Sequence, residues 1–255
     1  MGWRVPELSP CGAIARRHDP DRFLCALFAP PEKREALFTL IAFNNELARA
    51  REAASNPLIA LMRMTWWREV VEHAAQGHPA RQHEVAAPLN ATIQAGALDA
   101  QGLIAMAEAR EAEAEEEGIA SEAALHAYLR GTAGGFAVVA GRLLGAPPAL
   151  LPGLQQAGML YGLAGVLRAV PALAAQGRCL LPREMIADPA SIIRQLAAQA
   201  PAPPDLRGLP KSARAAALPL VLARRDLRLL AQGREVRRGV MDRLAVIFAA
   251  QRPSL

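Results

Sequence analysis

From Asp21 to Gln251 apolar residues recur at intervals of three and four, and no run alternates apolar and polar residues strictly enough for a half-buried strand. The pattern predicts helices at about 21–28, 32–53, 57–76, 83–96, 99–116, 121–145, 149–175, 189–200 and 211–250. Pro30-Pro31 and Pro147-Pro148 open helices, where a fixed φ and a missing N–H do no harm. Asn56-Pro57, Gly77-His78-Pro79 and Gly118 mark boundaries. Residues 1–19 read as a mobile N-terminal arm that ends at Asp19-Pro20, and 20–255 as one domain. Pro201-Ala202-Pro203-Pro204 has linker composition but joins the last helices, since the stretch beyond it is too short for a second core. The fold class is therefore all-α.

Composition sharpens this. The chain has 255 residues, 52% hydrophobic but only 4% aromatic, so alanine and leucine, both strong helix formers, do most of the packing. The stretches Ala157 to Leu167 and Gly131 to Gly141 are the longest apolar ones. Both fall short of the ~20 residues that span a bilayer and read as core helices, so no transmembrane helix is expected. The start lacks a signal peptide's apolar core. Cys11, Cys25 and Cys179 are scattered, with no CxxC pair, which suits a reducing compartment and a cytoplasmic location.

The formal charge is +5, and of 29 basic residues all but Lys33 and Lys211 are arginine. This reflects either compositional bias or an anionic partner, a membrane surface or a diphosphate. No nucleic acid partner is expected, because the basic residues are not interleaved with aromatics and no binding motif is present.

Two segments carry candidate chemistry. The first contains Ala42-Phe43-Asn44-Asn45-Glu46-Leu47-Ala48-Arg49-Ala50-Arg51-Glu52. The second contains Gly165-Val166-Leu167-Arg168-Ala169-Val170, then Gly177-Arg178-Cys179-Leu180-Leu181-Pro182-Arg183-Glu184. In order, spacing and flanks, over roughly residues 20 to 185, they resemble the squalene/phytoene synthase family of head-to-head prenyltransferases. The family patterns are similar to AFCRxxDDxxDE and to NILRDxxxD followed by GRxYLPxE. Between them, Tyr128-Leu129-Arg130-Gly131-Thr132-Ala133-Gly134-Gly135 resembles the YxxGTAG stretch of an aspartate-less sub-branch that includes assembly factors of respiratory complex I.

The resemblance implies an isoprenoid-synthase-like helical bundle around a central cavity. In active members aspartates on both segments hold Mg²⁺ against a substrate diphosphate. The matching positions here are Ala48, Arg49, Glu52, Gly165 and Ala169. Mg²⁺ demands near-octahedral oxygen ligands, and an arginine in place of an aspartate inverts the charge beside it. Two unit charges about 4 Å apart interact by roughly 4 kcal/mol at an effective dielectric of 20. The resemblance therefore implies a degenerate site with no catalytic residues, no metal and no cofactor. The role expected is a non-enzymatic assembly or lipid-binding factor. The alternative is a prenyltransferase that acts on isoprenoid diphosphates through Mg²⁺ with rearranged ligands.

Arg49, Arg168 and Arg178 are the candidates for an anion or diphosphate site, since arginine binds phosphate without metal. Arg168 and Arg178 have a second reading, as structural partners of Glu184 or Glu52. Phe43, Asn44, Trp67, Tyr161 and Glu184 are the pocket candidates, although Trp66-Trp67-Arg68 reads first as a packing anchor. Expected partners are a protein client of a respiratory complex and an isoprenoid or other lipid.

Three further features need weighing. Glu108 to Glu117 puts Glu108, Glu111 and Glu115 on one face, a solvated acidic helix rather than a replacement metal site. His73, His78 and His83 straddle a Gly/Pro loop and share no helix face. From Ala213 to Gln251, Leu222, Leu227, Leu230, Val240 and Leu244 oppose Arg224, Arg225, Arg228, Arg237, Arg238 and Arg243. Such a basic amphipathic helix either covers the core or makes a peripheral contact with the inner membrane.

Overall fold

Four helices begin at the same two-residue signal, a side-chain oxygen followed by proline. Ser9, Asp19, Asn56 and Asp188 each accept a hydrogen bond from the backbone N–H three residues on, that of Gly12, Arg22, Ile59 and Ser191. The prolines next to them sit at the first helical position, whose N–H has no intrahelical partner to lose.

The computed structural model describes residues 7–52, 54, 56–114, 119–182 and 188–252. Its helices are α1 (Pro10–His18), α2 (Pro20–Ala26), α3 (Pro31–Glu52), α4 (Pro57–Ala75), α5 (Ala86–Gln94), α6 (Ala100–Ala109), α7 (Glu122–Leu129), α8 (Gly135–Leu144), α9 (Leu151–Ala174), α10 (Pro189–Ala198), α11 (Pro219–Ala231) and α12 (Val240–Gln251). Among the described residues the only β pairing is an isolated bridge between Ile119 and Pro182. The all-α expectation holds.

α3 is the axis of the bundle. Every residue from Leu37 to Asn44 is buried, because α1, α4, α5 and α8 surround it. A helix enclosed on all sides needs no polar face. Phe43, Leu40 and Ile41 are each at most 1% exposed, and burying such side chains contributes roughly 1.5–3 kcal/mol apiece.

α7 and α8 are joined by a π-helical turn, Arg130–Gly134, so the predicted helix over 121–145 is one run with a single wide turn. Small residues are needed there. A Cβ on Gly131 would stand 2.4 Å from the Cβ of Ala109 on α6.

Two expectations are corrected. Residues 10–18, read as part of a mobile arm, form α1 and pack on α3, with Cys11 and Ala15 fully buried. Ser9-Pro10 is the same start signal as Asp19-Pro20, and the arm reading gave it no weight. The C-terminal stretch is not one helix over 211–250. A 3₁₀ turn at Lys211–Ala216 precedes α11, which ends before Gly233 at φ 69°, a left-handed conformation that favours glycine. Residues 232–239 are non-helical, and α12 comes after them.

α9 with its preceding turn, 148–174, has a mean hydropathy of 1.4 over its most apolar stretch, enough in length and composition to cross a membrane. Half of that stretch is buried against the rest of the bundle, as befits a core helix.

Candidate functional site

α9 lies against the α7–α8 run, and the spacing between them varies along its length. At Gly158 an added Cβ would stand 2.3 Å from the carbonyl oxygen of Ala133, and at Gly162 2.6 Å from its Cβ. One turn on, a Cβ at Gly165 would meet nothing within 4 Å. The elements touch at Gly158 and Gly162 and part at Gly165 and Ala169. The opening is a cleft of about 200 Å³.

Two arginines line it. Arg22 lays its guanidinium over the rings of Phe136 and Tyr161, 4.2 and 4.7 Å from their centroids, and Nη1 donates to Asp19 at 3.0 Å. Arg110 donates to Glu113 at 2.6 Å and to Asn44 at 3.2 Å, while its Nε is buried without a partner. Glu113 also accepts from the Tyr128 hydroxyl at 2.6 Å. Burial acts to lower the pKa of Arg110, but the Glu113 carboxylate outweighs it and holds the guanidinium charged. Burial, then the charge of Glu113, pushes the Tyr128 hydroxyl well above its ordinary range. Each cleft arginine therefore comes with its own carboxylate.

The sequence-derived candidates fall in three places. Gly165, Ala169 and Tyr161 form the cleft wall, and Asn44 reaches it through Arg110. Arg178 lies near it: its charge acts on Tyr128, and its Nη1 is buried without a partner. Phe43 and Trp67 are core residues whose rings meet edge to face at 5.7 Å, so the packing reading of Trp67 is the one realised.

Two expected anion ligands lie elsewhere. Arg49 is about half exposed (48%) and bonds Glu46 of its own helix at 3.2 Å; neither it nor Ala48 lines the cleft. Glu52 is exposed at the end of α3, and its charge reaches Arg110 at the cleft. Arg168 turns away to Asp226, at 3.5 Å, and Asp21, at 4.0 Å. It is an ion-pair partner, but not of Glu52 as one reading had it. Glu184 lies outside the described residues.

Arg168 belongs to a second charged centre that fastens the C-terminal helices. Asp226 is fully buried and takes both ends of Arg238, at 2.6 and 2.8 Å. Arg238 also donates through Nε to Asp21 at 2.8 Å, and Arg225 reaches Asp242 at 2.9 Å. Three carboxylates thus face three arginines.

The acidic stretch is also corrected in its described part, 108–114: Glu113 is buried, held by Arg110 and Tyr128, while Glu115, Glu116 and Glu117 lie outside the described residues. The signal available in sequence was the i,i+3 spacing of Arg110 and Glu113. Arg22 gave none beyond its place after a capped proline. His73 and His78 do meet, with ring centroids 5.4 Å apart. Among the described residues, however, no three His, Cys, Asp or Glu side chains gather as a metal site would require. Gly165 and Ala169 offer no side-chain oxygen, so this part of the cleft does not fit Mg²⁺.

The squalene/phytoene synthase family model matches residues 15–251. The human and bovine proteins named NADH dehydrogenase (ubiquinone) complex I, assembly factor 6, are each 27% identical over 176 residues, 69% of this chain. The chain spans about half (53%) of the length of these relatives. A dehydrosqualene synthase in complex with ligand superimposes with a TM-score of 0.71 at 14% identity, covering 94% of each chain. Squalene synthase HpnC from Alicyclobacillus acidocaldarius gives 0.61 at 17%, covering 94% of this chain and 91% of its own. At these identities the solved structures share the fold.

Proposed function

The chain belongs to the squalene/phytoene synthase family, and from that premise we propose that it is a non-enzymatic assembly factor for a respiratory complex of the NADH dehydrogenase type. The observation that carries this reading is the chemistry of the cleft. Departure of a diphosphate needs Mg²⁺ held by carboxylates, and the wall at Gly165 and Ala169 supplies none. Of the acids beside the cleft arginines, Asp19 and Glu113 are bonded to Arg22 and Arg110, and Glu52, whose charge reaches Arg110, is exposed at the end of α3. The names of the relatives point the same way.

A lipid-binding role is the weaker form of this reading. The cleft, at about 200 Å³, is below the ~300–1,000 Å³ usual for small-molecule pockets, so an isoprenoid chain would need its walls to move. The proposed setting is cytoplasmic, with a peripheral contact at the inner membrane. The start of α12 suits that contact: Val240 and Met241 are 71% and 75% exposed, between Arg237 and Arg243.

Deleting the gene tests the proposal. The expected result is loss of assembled NADH dehydrogenase complex with squalene- and carotenoid-type lipids unchanged. Loss of those lipids with an intact complex would favour the prenyltransferase. In vitro, the purified protein with Mg²⁺ and farnesyl or geranylgeranyl diphosphate is expected to give no head-to-head product.

A further inference from the structure

Outside the cleft, the most distinctive surface is a groove of about 480 Å³ between α11 and α12. Its lining shares no residue with the cleft. Val221, Ala245, Phe248 and Ala249 form an apolar floor, and Arg224, Arg225, Arg228 and Arg252 form the rim. Phe248 is 59% exposed, an unusual position for a large aromatic on an outer helix.

α12 explains why the groove exists. Its inward face is Asp242, Val246 and Ala250, one residue per turn, so it meets the body along a narrow line. Met241, Leu244, Ala245 and Phe248 cover the outer side, and a helix that is apolar on both sides is normally covered on both. The rim is not neutralised from within. Arg225 pairs with Asp242, whereas Arg224, Arg228 and Arg252 have no acidic partner among the described residues.

The two walls carry a helical ruler. On α11 the lining positions are Val221, Arg224, Arg225 and Arg228; on α12 they are Ala245, Phe248 and Ala249, with the extended residue Arg252 just past its end. The α11 positions are an i, i+3, i+4, i+7 series, two turns or roughly 10 Å long at 1.5 Å per residue, and the α12 positions repeat its first three members. We propose that this groove receives two turns of an acidic amphipathic helix from a protein partner. Its apolar side chains would fill the floor, and its Asp or Glu residues, four apart, would meet Arg224 and Arg228. Charge excludes a two-fold contact of this groove with the same groove of a second copy, which would set the same arginines against themselves. A bilayer surface is the poorer fit, because it is planar and leaves a concave floor unfilled. The inference goes beyond the assembly reading and does not depend on it, because the groove and the cleft are separate.

The probe is a synthetic lactam-stapled peptide with leucines at i, i+3, i+4 and i+7 and glutamates on the flanking positions, measured by fluorescence anisotropy on the full chain. Saturable binding is expected, weakening as salt rises. A peptide of the same composition in scrambled order should bind at least tenfold more weakly. Arg224→Glu/Arg228→Glu should lose at least tenfold, and a lysine-for-glutamate peptide should bind that double variant in preference to the wild type. Ala245→Trp, which fills the floor and leaves the arginines intact, should also lose at least tenfold. Circular dichroism confirms that each variant keeps its helix content. Equal binding of the scrambled peptide, or binding unchanged in both variants, overturns the proposal. So does a result in which phosphatidylglycerol vesicles depend on Arg224 and Arg228 while the peptide does not bind; that assigns the groove to lipid. Whether the gene deletion affects a respiratory complex has no bearing on any of these outcomes.

Discussion

The guanidinium of Arg168 on α9 lies 3.5 Å from the carboxylate of Asp226 on α11, and that carboxylate is fully buried. Through Arg238 the same aspartate holds the segment that leads into α12, and through Asp21 the network reaches α2. One buried acid thus organises the contact between the long core helix and the C-terminal part of the chain.

Asp226→Ala should therefore destabilise the protein by about 3–5 kcal/mol, because it leaves Arg168 and Arg238 partly buried without their main counter-charge. Chemical denaturation at neutral pH measures this. A loss under about 1 kcal/mol would mean that the network contributes little beyond what exposed pairs do.

Gly158 and Gly165, on the same helix, should respond in opposite directions to alanine. Gly158→Ala drives a methyl into the Ala133 carbonyl oxygen and should cost about 1–3 kcal/mol. Gly165→Ala meets open space and should be neutral or stabilising by about 0.5–1 kcal/mol, the helix-interior gain of alanine over glycine. Paired denaturation curves decide it, and equal effects would contradict the described divergence of α9 from the α7–α8 run.

The chain has two tyrosines, Tyr128 and Tyr161, and burial pushes both hydroxyls well above the ordinary value of 10.0. Their neutral forms are favoured in the folded state. The associated stability is complete below pH 10 and declines as pH rises from there towards the folded-state values, because only the unfolded chain releases the protons. Absorbance at the phenolate band should show no titration near pH 10 and should rise together with unfolding. A reversible step near pH 10 in folded protein would contradict the burial of one of them.

Pyrophosphate should raise the melting temperature very little, and equally with or without Mg²⁺, since Arg22 and Arg110 are already paired. Glu113→Gln removes the charge opposite Arg110 and should create a pyrophosphate-dependent shift that fades with salt. Thermal denaturation across the four combinations checks this. A shift in the wild type that needs Mg²⁺ would revive the prenyltransferase.

Much of this architecture was legible in the sequence because helices announce themselves through local periodicity and local caps. α3, α4 and α9 fall within a residue or two of the ranges read from the pattern. The features that escaped it depend on contacts between distant parts of the chain. Glu113 reads as one more acid in EAREAEAEEE until Tyr128 folds over it. Arg168 kept its motif position but took Asp226 as its partner, a residue far outside the motif. The break between α11 and α12 was the exception: Gly233 sits in plain view, and a continuous stripe of leucine and arginine outweighed it in the pattern.

The paired arginines of the cleft also bear on how the folded chain is maintained. A protein whose pocket charges are balanced by bound ions has its folded population tied to the supply of those ions by mass action. Here Asp19 and Glu113 are counterions carried by covalent attachment, present at a fixed one-to-one stoichiometry whatever the cell contains. The charges of Arg22 and Arg110 are thereby balanced from within the chain, and mass action on a bound ion has no part in holding these two side chains in place.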